Sequence, residues 1–193
     1  MSDTKTAAVT DPNQVVLQDV NISYPTLFKP RKSDQGGEPK YSASFILDKV
    51  EHAAQIKQIK AIIDSILKEK NGGKPLGPAL VCLRDGSMKP GVEGYNDDIM
   101  FITSSNSKRP QVVSPNREGR SPMDENDSRL VGGCRVNAVV RLWWQDNPTG
   151  KRINGSLSAV QYVRPDKTFG AAPVDTDSVF GAIPEPEMAG DLD

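Results

Sequence analysis

The 193-residue sequence has few of the residues from which metal sites, disulfide scaffolds and membrane segments are built. It contains two cysteines and one histidine, too few for a zinc site of the usual spacing or a disulfide framework. Cys82 and Cys134 each lie in an apolar run, which indicates buried, reduced thiols. No stretch approaches the roughly 18 apolar residues of a membrane span, and no export signal opens the chain. We therefore expect no metal, no cofactor, no membrane contact and a cytoplasmic location.

The polar side chains that could carry catalysis do not form a recognisable active site. His52 falls in the first turn of a predicted helix, where we expect it to be solvated. Asp85, Asp97 and Asp98 could meet in space as acid and base, but turns and loops are the usual place of such residues. Since no nucleophile, base and orienting group occur together, the sequence favours a protein that is not an enzyme.

The charge of the chain is divided unevenly along its length. The formal net charge is −1, from 24 basic and 25 acidic residues. Residues 171–193 contain six of the acids and neither Lys nor Arg, so the preceding 170 residues carry a net charge of +5. The six acids are Asp175, Asp177, Glu185, Glu187, Asp191 and Asp193. A basic body joined to an acidic tail indicates two electrostatic roles, one of them the binding of an anionic partner.

Strands dominate the predicted secondary structure. The first, at 15–24, shifts its apolar phase between Leu17 and Val20, as an inserted bulge residue would cause. The Pro- and Gly-containing residues 25–40 follow as a long exposed loop. A hairpin connection is predicted within 144–153. The further candidate strands are 40–48, 79–83, 99–104, 131–145 and 153–163.

One amphipathic helix interrupts the strands. Asp48 and Glu51 form a capping-box-like start, and isoleucines then recur at helical spacing to about Lys70. Gly72 and Gly73 end the helix, because glycine tolerates the left-handed geometry of a helix C-cap. The sequence thus predicts an all-β fold with one helix.

Composition divides the chain into three parts. Residues 1–12 are small and polar and are expected to form a flexible arm. Residues 13–170 hold all the predicted elements and form one domain with long loops. Residues 171–193 are too poor in apolar side chains to repay the entropy of folding, and we expect a disordered acidic tail.

The strand at 131–145 combines cations with an aromatic residue. Alternate residues from Cys134 to Trp144 form its apolar face, and the other face carries Arg135, Arg141 and Trp143. A nucleobase can stack on an indole for roughly 1–3 kcal/mol while arginines neutralise phosphates. Alternatively, Trp143 covers a second packed layer and the arginines keep a strand edge soluble. This strand alone leaves both interpretations open.

Basic loops add to the first interpretation. Each loop alone fits a solvated surface, and the two aromatic residues of the first loop, Tyr24 and Phe28, also fit a core. A third basic cluster contains Lys108, Arg109, Arg117 and Arg120. Several such clusters on a β scaffold favour a nucleic-acid partner. The candidate nucleic-acid-binding residues are Tyr24, Phe28, Lys29, Arg31, Lys32, Arg84, Lys108, Arg109, Arg135, Arg141 and Trp143.

Several short motifs, in this order and spacing, resemble the single-stranded-DNA-binding proteins of tailed bacteriophages, a family long known as a domain of unknown function. The resemblance covers most of the body. The motifs are Ser23-Tyr24-Pro25 with Leu27-Phe28, Lys40-Tyr41-Ser42-Ala43, Leu83-Arg84-Asp85-Gly86 before Gly94-Tyr95, Gly133-Cys134-Arg135-Val136-Asn137 and Leu157-Ser158-Ala159-Val160-Gln161.

The resemblance implies an oligonucleotide-binding (OB) barrel that holds single-stranded DNA without sequence preference. It further implies a role in phage replication or recombination in the cytoplasm of the infected bacterium, with the acidic tail contacting replication proteins. Two alternatives remain open. One is a mediator that anneals complementary strands, and the other is a phage structural or interaction protein that binds no nucleic acid.

Overall fold

The computed structural model describes residues 11–32, 36–115 and 122–169, and these form seven strands and one α-helix. The strands are β1 (Gln14–Arg31), β2 (Lys40–Asp48), β3 (Leu83–Asp85), β4 (Ile99–Asn106), β5 (Gln111–Val113), β6 (Arg135–Asn147) and β7 (Gly150–Arg164), and the helix α1 is Ala53–Asn71. No helix in this part of the chain is long and apolar enough to cross a membrane.

Five strands close into a barrel in the order β1, β2, β4, β7, β6 and back to β1. Neighbours run antiparallel except β4 and β7, which are parallel and meet where Ser105 pairs with Ser156. The short strands β3 and β5 lie beside β4 and β7. A five-stranded barrel with one helix is the architecture of the OB fold, so the predicted fold class is confirmed.

Alternate side chains of the barrel strands fill the interior, and Leu17, Phe45 and Leu142 are fully buried there. The helix buries a stripe of isoleucines that includes Ile59 and Ile63 in the same core. A single apolar core therefore joins the barrel to α1, as expected for an amphipathic helix packed against a sheet.

Gly155 allows β4 and β7 to approach where the barrel closes. A Cβ atom at this position would lie 2.7 Å from the carbonyl oxygen of Thr103 and 3.2 Å from Cγ1 of Val140. Backbone atoms cannot rotate away as a flexible side chain can, so a larger residue would push the two strands apart.

The predicted loop at 25–40 is wrong over its first half, because β1 continues to Arg31. Leu27 is buried in the core, and Arg31 pairs with Lys40 to form a projecting β1–β2 hairpin. Beyond Asn21, β1 has lost its pairing with β6. Prolines are tolerated there, because one side of the strand needs no N–H donor.

The segment at 79–83 was also predicted wrongly. A 3₁₀ turn at Pro78–Leu80 occupies its start, and the strand β3 begins only at Leu83. Proline at the first position of a turn has no N–H that a strand could use. The short strand β5 was missed because three residues show no periodicity.

The ends of α1 follow the predicted chemistry with one difference. Asp48 Oδ1 accepts hydrogen bonds from the backbone N–H groups of Val50 and Glu51, at 2.8 and 2.9 Å. A turn then precedes the helix, which begins at Ala53 rather than at Asp48. The predicted C-cap is confirmed, because Gly72 has a left-handed φ of 61°.

The prediction of a solvated His52 is wrong. Only 4% of its surface is exposed, and its Nδ1 accepts a hydrogen bond of 3.0 Å from the Asp48 N–H. Its Nε2 lies 3.1 Å from the carbonyl oxygen of Asp19 and donates to it, since a carbonyl oxygen can only accept. The ring thus joins the start of the helix to β1.

The predicted state of the cysteines is confirmed. Cys82 and Cys134 are buried and unpaired. Burial raises the pKa of Cys82 to about 12 and that of Cys134 to about 11, so both remain protonated thiols near neutral pH.

Candidate nucleic-acid interface

Small polar side chains line the outer face of the barrel where β2, β4, β7 and β6 meet. Ser42 pairs with Ser105, Ser105 with Ser156, and Ser156 with Arg141, which gives one row across four strands. Two residues along each strand, a second row contains Ser44, Thr103, Asn154 and Trp143. Because most of these side chains are short, the two rows form the floor of a depression that crosses the strands.

We call this depression the groove. Two adjoining hollows compose it and share Ser105, Asn154 and Gly155 in their lining. Exposed aromatic residues mark its two ends: Tyr24 on β1 is 65% exposed and Trp143 on β6 is 38% exposed. The floor between them is formed by β7, β4 and β2.

The lining of the groove carries positive charge. Among the described residues, its lining contains five cationic side chains and no Asp or Glu. The five are Lys40, Arg84, Lys89, Arg141 and Arg152. Arg141 also forms an ion pair with Asp11, which lies outside this lining. Such a field attracts a polyanion.

Arg84 is held rigidly in the groove wall. Its Nε donates to the carbonyl oxygen of Val81 at 2.9 Å, and a terminal nitrogen donates to that of Ala79 at 3.1 Å. Burial lowers the pKa of Arg84, and the positive charge of Arg152 lowers it further, yet a guanidinium stays charged in proteins. A partly desolvated cation fixed by neutral carbonyl groups gains from an approaching anion.

Lys89 lies at the Tyr24 end of the groove among aromatic rings. Its ammonium group is 4.5 Å from the ring centroid of Tyr95 and 4.6 Å from that of Phe101. The Tyr24 ring is 5.9 Å away. Burial lowers the pKa of Lys89, with a smaller contribution from Arg84. The cation–π contacts hold the charge beside the exposed Tyr24 ring.

Four predicted site residues lie together in the groove: Tyr24, Arg84, Arg141 and Trp143. The apolar and polar faces predicted for the Trp143 strand are confirmed, because Val136, Val140 and Leu142 are fully buried while Trp143 is exposed. The serine rows around these residues were not predicted.

Other predicted residues lie outside the groove lining. Phe28 packs against the core, with the Arg109 guanidinium 5.4 Å from its ring. Lys29 forms an ion pair of 2.7 Å with Glu125. Exposed cations on the β1–β2 hairpin and after β4 complete this set, namely Arg31, Lys32 and Lys108.

Arg135 is committed to contacts within the protein. Its Nε donates to Asp166 at 2.6 Å, and Nη1 donates to the Asp19 carbonyl oxygen at 2.6 Å and to Glu51 at 3.1 Å. Only 13% of its side chain is exposed. A guanidinium whose donors are satisfied in this way links β1 and β6 to the turn before α1, and Arg135 does not line the groove.

The predicted partner-binding acids from Asp175 to Asp193 lie outside the described residues, as do Arg117 and Arg120. Three groove cations, Lys40, Lys89 and Arg152, were missed. The sequence held a signal for Arg152, because a β6–β7 hairpin that pairs Asn147 with Gly150 places Arg152 beside the row that contains Trp143. Lys89 offered none, since its position depends on a loop that folds over β4.

Comparisons with known proteins identify relatives of phage origin. A family model described as "Enterobacter phage Enc34, ssDNA-binding protein" matches residues 13–191. The putative protein p50 of Acyrthosiphon pisum secondary endosymbiont phage 1 is 33% identical over 187 residues, which cover 91% of this chain and 98% of that protein.

Solved structures of the single-stranded DNA-binding protein from bacteriophage Enc34 are similar to this fold. Its complex with ssDNA has a TM-score of 0.72 and 33% identity, covering 82% of this chain and 90% of the other. A C-terminal truncation has a TM-score of 0.69 and 32% identity, covering 81% and 89%. With the matching family model and the p50 relative, these likenesses show that the chain belongs to the Enc34-type family of phage ssDNA-binding proteins.

Proposed function

We propose that this protein binds single-stranded DNA in the groove without sequence preference and performs no catalysis. The observation that carries the proposal is the lining of the groove, which among the residues that the structure describes holds five cations, no carboxylate and an exposed aromatic ring at each end. Aromatic faces stack on any base, and cations neutralise phosphates whatever the sequence. These are the two contacts that a sequence-independent single-strand binder needs.

Each part of the groove has a role in this mechanism. Tyr24 and Trp143 stack on bases at the two ends, and Arg84, Lys89 and Arg152 face phosphates between them. The short Ser and Thr side chains of the floor leave room for the strand to lie close to the sheet. The β1–β2 hairpin and the β6–β7 turn flank the groove in the positions that OB folds use for oligonucleotides. The setting we propose is phage DNA replication or recombination in the infected bacterial cytoplasm.

The direct experiment is a titration of the protein with fluorescent oligo-dT and with duplex of equal length over a salt series. We expect oligo-dT to bind more tightly. The logarithm of its affinity should fall linearly with the logarithm of salt concentration, with a slope reaching about −3.5 if all five groove cations contact phosphates. A flat salt response, or tighter binding of duplex, would contradict the proposal.

A further inference from the structure

A second apolar cluster lies outside the barrel, next to the groove. Ile46 and Phe101 pair across β2 and β4 on the outer face, and Tyr95 and Ile99 pack on them. The Tyr95 and Phe101 rings meet edge to face, with centroids 5.1 Å apart. We call these four residues the outer cluster. The segment 86–98, which contains Tyr95 and packs on the rest of the outer cluster, is called the Lys89 loop.

The Lys89 loop owes its position to the outer cluster. The ammonium of Lys89 contacts the Tyr95 and Phe101 rings, so the rings that form the cluster also fix the charge in the groove. Asp85 holds the start of the loop, because its side chain accepts a 3.0 Å hydrogen bond from the Ser87 N–H and forms a 2.7 Å ion pair with Lys49.

Phe169, far along the chain, packs into the same cluster. Its ring lies over Gly94, where a Cβ atom would come within 2.6 Å of it. Its N–H donates to the carbonyl oxygen of Gly132 at 3.0 Å. Asp166, three residues earlier, accepts from Asn21 at 3.0 Å and from Arg135 at 2.6 Å. The segment 166–169 is therefore fixed to the barrel at one end and to the Lys89 loop at the other.

We propose that Phe169 is a positioning residue for DNA binding: it clamps the Lys89 loop on the outer cluster and thereby holds Lys89 in the groove. Phe169 does not line the groove. Its effect passes through Gly94 and Tyr95 to the ammonium of Lys89. This inference rests on the proposed function and adds to it the residue that connects the C-terminal part of the chain to the binding site.

A double-mutant cycle in the full-length protein tests the inference. Lys89→Ala should weaken oligo-dT binding and reduce the salt slope by about 0.7, the contribution of one phosphate contact. Phe169→Ala should weaken binding by a similar factor with the same reduction of the slope. The double variant should bind no more weakly than either single variant, because both changes remove the same contact.

Controls separate positioning from general stability. Met123→Ala removes a buried apolar side chain from the main core and should lower stability while leaving the salt slope unchanged. Phe169→Tyr keeps the ring and should restore both affinity and slope. If Phe169→Ala fails to fold, Phe169→Leu, which keeps an apolar side chain but loses the ring, takes its place in the cycle: it should weaken binding and reduce the slope in the original protein and change neither in the Lys89→Ala background.

The outcomes distinguish this inference from the function on which it rests. An original protein that fails to bind oligo-dT overturns the proposed function. If the original protein binds oligo-dT, either of two results overturns the positioning role alone. One is a double variant in which the losses of the two single variants multiply. The other is an unchanged salt slope in Phe169→Ala.

Discussion

At the scale of one residue, Tyr24 combines a strained backbone conformation with an exposed aromatic ring. The residue has a left-handed φ of 48° at a register shift between Ser23 and Thr26, and its ring is exposed. Such a backbone conformation costs a residue with a side chain on the order of 1–3 kcal/mol. Under the proposed function, both features present an aromatic face to a base at the end of the groove.

The other end of the groove gives the sharpest mutational test. Trp143→Ala should weaken oligo-dT binding by about 1–3 kcal/mol, because it removes one stacking surface, while the denaturation midpoint stays close to the original. Fluorescence titration and urea denaturation measure the two effects.

Its matched control is the neighbouring tryptophan. Trp144 is partly buried and packs against the core, with the Lys151 ammonium 6.0 Å from its ring. Trp144→Ala should therefore reduce stability, by less than the roughly 3–5 kcal/mol of a fully buried site, and leave binding nearly intact. If the two variants exchanged phenotypes, DNA would bind on the face of β6 that carries Trp144 and the groove would be assigned wrongly.

A second pair of variants tests whether the groove charges contact phosphates. Arg152→Ala should make the slope of log affinity against log salt shallower by about 0.7. Lys60→Ala removes the same charge from the exposed face of α1, outside the groove lining, and should leave the slope almost unchanged. Equal effects of the two variants would mean that only the overall charge matters.

Residues differ in how far the sequence determines their role. The exposure of Trp143 follows from strand alternation, because its neighbours at odd and even positions differ so clearly in polarity. The roles of His52 and Arg135 could not be predicted, since both depend on the Asp19 carbonyl oxygen, which belongs to a distant strand. Long-range hydrogen bonds of this kind leave no periodic signal in the chain.

At the scale of elements, the bulge in β1 was predictable and its purpose was not. The phase shift between Leu17 and Val20 appears in the structure as a register shift against β6 at the same place. Asp19 in that bulge has a left-handed φ of 51°, and its carbonyl oxygen faces His52 and Arg135. The bulge thus provides the acceptor that connects β1 to α1 and β6.

Closure of the barrel depends on Gly155, and this gives a test of the element packing. Gly155→Ala should lower the free energy of unfolding by about 1–3 kcal/mol, because the new Cβ atom meets the Thr103 carbonyl oxygen and forces β4 from β7. Chemical denaturation measures the change.

Gly77→Ala is the control for this change. Gly77 has no heavy atom within 4 Å of a built Cβ and a φ of −58°, so this substitution should be close to neutral or slightly stabilising. A destabilisation as large as that of Gly155→Ala would show that loss of glycine, rather than strand separation, is responsible.

For the whole molecule, the division of charge predicts competition between the acidic tail and DNA. The six acids at 171–193 are attached to a body with a net charge of +5, and covalent attachment makes their competition with DNA intramolecular, which can raise an effective concentration to the millimolar range. Deleting residues 171–193 should therefore tighten oligo-dT binding at low salt, measured by titration. The gain should shrink as salt screens both the tail and the phosphates.

Two other roles of the tail would give a different result. A tail that recruits replication proteins or keeps the protein soluble would not compete with DNA at all. Equal affinities of the full-length and shortened proteins across the salt series would exclude competition and leave those roles.

The order of strands in the barrel also has a consequence during synthesis. Asn21 of β1 pairs with Arg135 of β6, and at roughly 5–20 residues per second a ribosome makes the intervening chain in on the order of 10 s. For that time β1 can pair with β2, while its other edge waits without a partner. β4 waits for a shorter time, since its Ser105 pairs with Ser156, but its parallel neighbour β7 is the last strand of the barrel to be made. A nascent chain released before β7 leaves two open strand edges, which can pair with other chains and aggregate.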